Sequence, residues 1–170
     1  MSDLHFINGP WPGRLATMAR PRGGDWLDDE ISRLRRAGIT ALVSLLEPEE
    51  AAELNLENEQ QICGANGIDY HSMPVPDRGV PSSRDAFDDL ARTLLHALAA
   101  ARTIAIHCRA GIGRSSLLAA RILIEAGVAA NEAWARISKA RGLEGPDTRE
   151  QRHWLEGDLR RVGPSVGDRR

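Results

Sequence analysis

Chemistry concentrates in one stretch of this chain, Ile104-Ala105-Ile106-His107-Cys108-Arg109-Ala110-Gly111-Ile112-Gly113-Arg114-Ser115-Ser116. A β-branched run ends in a cysteine, two glycines one residue apart follow, and then an arginine and a hydroxyl open an apolar run at helical spacing. The spacing predicts a strand, an anion-cradling loop and a helix N-terminus. Such a terminus offers unpaired N–H groups and the positive end of a dipole to a phosphate-like anion. Gly111 and Gly113 allow backbone angles and close approaches that a Cβ would forbid. Arg114 adds a planar fork of donors for two phosphate oxygens. Cys108 sits where these positive features converge, which favours thiolate over thiol. A thiolate held against a bound phosphate is a nucleophile for phosphoryl transfer. A nucleotide-binding loop would need Gly-Lys-Ser/Thr, and Gly113 is followed by Arg114. A dinucleotide fingerprint would need Gly or Ala at Ser116.

His107-Cys108, five intervening residues, then Arg114-Ser115, with both glycines inside the loop, resembles the signature of the cysteine-based protein tyrosine phosphatases. The resemblance covers about Ile39 to Leu159. It implies an α/β fold, a cysteinyl-phosphate intermediate on Cys108, and no metal or other cofactor. Arg109, Ala110, Gly111, Ile112, Gly113 and Arg114 would form the phosphate cradle. The family carries its general acid on a mobile loop after a strand and before the cysteine loop. Asp77 answers to that order, 108 − 77 = 31 residues before the thiol, between Pro76 and Arg78-Gly79. A proline-flanked Asp is also ordinary turn chemistry, and Asp69 and Asp85 are rivals. Asp69 falls inside a strand, and Asp85 suits dipole compensation in a helix's first turn.

The matching His of the family supports the loop by hydrogen bonding, and His107 takes that role here. Ser115 would stabilise the leaving thiolate when the phosphoenzyme breaks down, or cap the helix that it opens. Gln151 matches a Gln near the last helix of dual-specificity members, where it would position water. Thr148-x-x-Gln151 is equally a capping-box pattern. Arg78 and Arg109 would draw in a dianion or be solvated surface charges. Cys63 is either small core filling or a redox partner of Cys108, as some relatives have.

The elements needed to hold these residues are legible in order. Met1–Pro12 reads as irregular. Arg14–Arg20 is a first strand, and Asp25 caps a helix to Ala37 with Trp26, Leu27, Ile31 and Leu34 inward. Ile39–Leu46 is a strand buried on both faces. Short helices start at Pro48 and Glu57, and Ile68–Met73 is a third strand. A proline-rich loop from Pro74 to Pro81 carries Asp77. Ser83 caps a long helix to Ala101 that buries Phe87, Leu90, Ala91, Leu94 and Leu98. Thr103–His107 is the fourth strand. Helices follow over Leu117–Ala126, Asn131–Ala140 and from Asp147 or Thr148 to Arg161, the last packed through Trp154, Leu155 and Leu159. Strands alternating with helices imply an α/β fold, a single domain over residues 1–162 with a mostly parallel central sheet of four to five strands and helices on both faces. Residues 163–170 read as a flexible tail.

The 170 residues suit one domain, and 42% hydrophobic with 27% charged residues describe a globular chain. A net charge of −2 gives no electrostatic case for nucleic acid or an anionic membrane. No apolar run has the length of a signal or membrane-spanning segment. Two cysteines, one in a motif that must stay reduced, point to the cytoplasm. The expected protein is a monomeric, cytoplasmic phosphatase of the dual-specificity type. Its short length leaves no room for the added loop that deepens the pocket of tyrosine-specific members, so phosphotyrosine and phosphoserine or phosphothreonine would both enter. A phosphoinositide or small-molecule phosphatase and an inactive phosphate-binding module are the alternatives.

Overall fold

The two most apolar runs become the centre of a sheet. β3 (Ala41–Ser44) is buried throughout, and β5 (Thr103–Cys108) is buried from Ile104 onward. They pair in parallel, with β2 (Arg14–Ala19) on the far side of β5 and β4 (Asp69–Ser72) beyond β3, both also parallel. An antiparallel β1 (His5–Ile7) completes the order β1-β2-β5-β3-β4. β1 corrects the expectation of irregular chain before Pro12; three residues are too short to show a strand periodicity. The structure is a computed structural model that describes residues 2–143, 146 and 148–159, without the side chains of residues 158 and 159. The expected packing of Leu159 and the expected tail over 163–170 lie outside the described residues.

Helices cover both faces. α1 (Leu27–Arg36), α2 (Pro48–Glu53) and α3 (Glu59–Ala65) serve one face, where Leu27, Ile31 and Cys63 meet Met18, Leu42 and Ala105 from the sheet. On the other face lie α4 (Arg84–Ala99), α5 (Arg114–Glu125), α6 (Ala130–Arg141) and α7 (Arg149–Leu159). There Phe87, Leu94, Leu118, Ile122 and Trp134 close over Leu15, Val43, Ile104 and Ile106. Successive residues of β5 thus enter opposite cores, as a two-residue side-chain period requires. Each fully buried Leu or Ile contributes about 1.5–3 kcal/mol relative to exposure.

Local signals mostly resolve as expected. Ser83 Oγ accepts the Ala86 N–H at 3.2 Å and starts α4. Phe87, Ala91, Leu94 and Leu98 are buried, while Leu90 is half-buried. The start of α1 differs from the expectation. A 3-10 turn over Gly24–Trp26 precedes it, Asp25 makes no capping bond, and Trp26 is 56% exposed rather than inward. Its ring instead lies 4.6 Å from the Arg22 guanidinium, a cation–π contact at the surface. Among the described residues no helix is long and apolar enough to cross a membrane.

Candidate active site

Because β2, β3, β4 and β5 run parallel, their carboxyl ends lie at one end of the sheet, where ligands of such sheets collect. Each end delivers a piece of one site. β5 ends at Cys108, and α5 begins at Arg114. Between them the chain turns so that the Gly111 N–H points at Cys108 Sγ, 3.2 Å away. The thiol is buried, 3% exposed, and Ser115 Oγ lies 3.5 Å from it. Gly111 has φ of +74°, and a Cβ there would come within 2.4–2.6 Å of Met18 and Ala19 backbone atoms, so glycine is required. Gly113 has φ of −85°, so the left-handed conformation of Gly111 is not required there. Ser115 is not the helix cap, which is Gly113 with no side-chain bond.

Arg114 is nearly enclosed, 2% exposed. Its Nη1 donates to Glu50 Oε2 at 2.7 Å and to the Val75 carbonyl at 2.9 Å, and its Nη2 donates to Glu50 Oε1 at 3.0 Å. Nη2 also meets Asp77 Oδ1 at 3.2 Å. The loop after β4 therefore touches the cysteine loop through both its backbone and Asp77. Burial alone would weaken the guanidinium's hold on its proton, but the Glu50 bonds and the charges of Cys108, Glu50 and Asp77 outweigh it and raise its pKa. Glu50, in α2, is one of the residues that reading the sequence missed. It sits in the acidic run Glu47-Pro48-Glu49-Glu50, where nothing local separates it from its neighbours. Burial pushes its carboxyl up; the Arg114 bond, the Glu47 N–H and the charges of Arg114 and Arg109 overcome that and hold it below the usual glutamate value.

The remaining candidates differ in burial and in the partners that hold them. His107 enters the opposite face of the sheet, wholly buried. Its Nε2 meets Glu59 Oε1 at 2.6 Å, and its Nδ1 lies 3.4 Å from the Cys108 carbonyl. A carboxylate only accepts, so Nε2 carries the proton in that bond. Tyr70 Oη donates to the other Glu59 oxygen at 3.2 Å. Arg109 is exposed and pairs with Glu50 at 3.5 Å and Glu53 at 3.2 Å. Ala110 is exposed, Ile112 is half-buried and Arg78 is exposed, with φ of +58°. Gln151 is buried and makes the capping box: its Oε1 accepts the Thr148 N–H, and its own N–H donates to Thr148 Oγ1. Its Nε2 donates to the Gly79 carbonyl at 3.0 Å, which ties α7 to the Asp77 loop.

The two rival carboxylates stand apart from this cluster. Asp69 opens β4 at the amino end of the sheet and pairs with Arg102 at 2.7 Å. Asp85 is exposed in the first turn of α4. Cys63 belongs to the core on the other face from Cys108. Burial, with Glu59 nearby, pushes its thiol up to about 12, the behaviour of core filling. Among the described residues no three His, Cys, Asp or Glu side chains gather as they would around a metal ion.

Comparison with known proteins bears on this geometry. A family model described as "Tc-R-P: Polymorphic toxin system, DSP-PTPase phosphatase" matches residues 16–128. A Leishmania major protein, protein tyrosine phosphatase PRL-1, is 34% identical over 169 aligned residues, covering 93% of this chain and 83% of that protein. A solved structure of a Leishmania major protein described as a putative protein tyrosine phosphatase is 28% identical, with a TM-score of 0.71 over 90% of this chain and 96% of that one. The kinase associated phosphatase, at 19% identity, shares the fold with a TM-score of 0.82 over 95% and 96% of the two chains. The chain belongs to the cysteine-dependent protein tyrosine phosphatase superfamily, among enzymes of the dual-specificity type.

Proposed function

We propose that this protein hydrolyses phosphate monoesters of proteins, phosphotyrosine and also phosphoserine and phosphothreonine, through a phosphate ester of Cys108. One observation supports this reading: the Gly111 N–H points at Cys108 Sγ from 3.2 Å, and Arg114, at the other end of the same loop, holds Asp77 at 3.2 Å. Cys108 Sγ attacks phosphorus while the P–O bond to the leaving group breaks. Asp77 gives its proton to that oxygen, an effect worth ~10²–10⁴ in rate. Loop N–H groups and Arg114 hold the three other oxygens as charge develops on them. Water then attacks phosphorus, Asp77 takes its proton, and the S–P bond breaks. The Ser115 hydroxyl donates to the departing thiolate. His107 and Glu59 hold the loop from below, and Gln151 holds the Asp77 loop in place. A thiol nucleophile of this kind suits a reducing compartment such as the cytoplasm.

The experiment is phosphate release by wild type and Cys108→Ser, with chelator present. Its substrates are an aryl phosphate, phosphotyrosine and phosphothreonine peptides, and a phosphoinositide. Release from the peptides that disappears in Cys108→Ser is the expected result. Release that survives the substitution overturns the mechanism, and release confined to the phosphoinositide overturns the protein substrate.

A further inference from the structure

We propose that Arg141, at the end of α6, is a positioning residue that orients the Ala110–Gly111 peptide of the phosphate loop. The inference rests on the loop holding an oxyanion, as in the reading above. A trans peptide unit is planar, so the carbonyl of one residue and the N–H of the next point in opposite directions. Arg141 Nη2 donates to the Ala110 carbonyl at 2.9 Å. The N–H of that same peptide, on Gly111, points at Cys108 Sγ at 3.2 Å. Holding the oxygen outward therefore aims the N–H inward. The preceding peptide is treated alike, since the Arg20 N–H holds the Arg109 carbonyl at 3.2 Å. That hold is backbone to backbone, whereas the hold on Ala110 depends on one side chain.

Glycine makes the Arg141 contact consequential. Gly111 has φ of +74° and no side chain, so its peptide has little local reason to keep one orientation. The guanidinium is itself fixed at a second point, because Nη1 meets His5 Nε2 on β1. An arginine only donates, so that ring nitrogen accepts. β1 and α6 thereby act on the loop although neither carries a reacting group. The plain alternative is a cation compensating the dipole at the end of α6. That role needs only a positive charge, and it would not touch anion binding at Cys108.

The test is tungstate binding, followed as the rise in melting temperature under reducing conditions, alongside kcat/KM on an aryl phosphate. It uses wild type, Arg141→Ala and Arg141→Lys. Arg141→Ala is expected to bind tungstate ~10-fold more weakly and to lose kcat/KM in proportion, a fraction of what full removal of an oxyanion donor costs. Arg141→Lys, which keeps the charge but not the fork, is expected to recover the melting temperature of the free protein and only part of the tungstate affinity. Equal tungstate affinity in wild type and Arg141→Ala overturns the positioning role alone. A wild type that does not bind tungstate overturns the phosphate loop itself, and this proposal with it.

Discussion

Glu50 balances the charge of the site's buried arginine, and its removal has consequences of two kinds. Breaking a buried pair by deleting one partner leaves an uncompensated charge, a loss of ~3–5 kcal/mol when burial is complete. Asp77 remains near Arg114, so Glu50→Gln is expected to cost less, ~1–3 kcal/mol in urea unfolding at pH 7. It is also expected to lower kcat/KM by at least ~10-fold, because the guanidinium loses its two-point alignment. The pH dependence has a definite sign. Glu50 is held below its ordinary value of 4.5 in the folded protein. Its contribution is complete above that value and is lost as pH falls through the lower folded one. The gap in stability between wild type and Glu50→Gln is therefore expected to narrow below pH 4.5; a gap that is constant with pH would contradict the pairing. Cys108, Arg114 and Ser115 were legible in the sequence because phosphate chemistry fixes their spacing within one loop. Glu50, Glu59 and Arg141 were not, since they reach the loop from 64, 48 and 31 residues away.

At the scale of elements, the phosphate loop is shaped as much by what it packs against as by its own residues. Gly111 lies on the backbone of Met18 and Ala19, the last residues of β2, where Ala19 is paired with Cys108. Gly111→Ala is expected to displace the loop or the strand end, at ~1–3 kcal/mol for the forced positive φ and contact. Tungstate binding should fall with it, and a variant that binds tungstate like wild type would contradict the loop geometry. The central strands were legible as apolar runs, and α4 as a capped, amphipathic repeat. β1 was not, being three residues long and stabilised by its neighbour β2 rather than by its own pattern. The start of α1 was misplaced because Asp25 offers a capping side chain, whereas the chain enters through a 3-10 turn that puts Trp26 outside. Gly111 and Gly113 were read alike, as allowing angles and close approaches that a Cβ would forbid, but the helix starts at Gly113 without a left-handed residue.

At the scale of the whole molecule, the sheet divides the protein's chemistry between its faces. The thiol enters the core under α4 to α7, while His107, Glu59, Tyr70 and Cys63 lie on the other face. Four parallel strands bring their carboxyl ends together, so the candidate nucleophile Cys108, Arg114, its partner Glu50 and the candidate acid Asp77 meet although they are far apart in the chain. The alternation of strands and helices made that architecture legible, and the order β1-β2-β5-β3-β4 was not, because pairing depends on contacts that no local pattern encodes. The proposed reaction passes phosphate through Cys108. In the proposed mechanism an aryl phosphate with a good leaving group needs no acid in the first step, whereas the second step needs Asp77 as base. Asp77→Asn mixed with such a substrate, quenched in acid and digested, should accumulate one phosphate group on the peptide containing Cys108. Cys108→Ser should carry none. Phosphate found on another side chain, or steady turnover with Cys108 never labelled, would contradict the account.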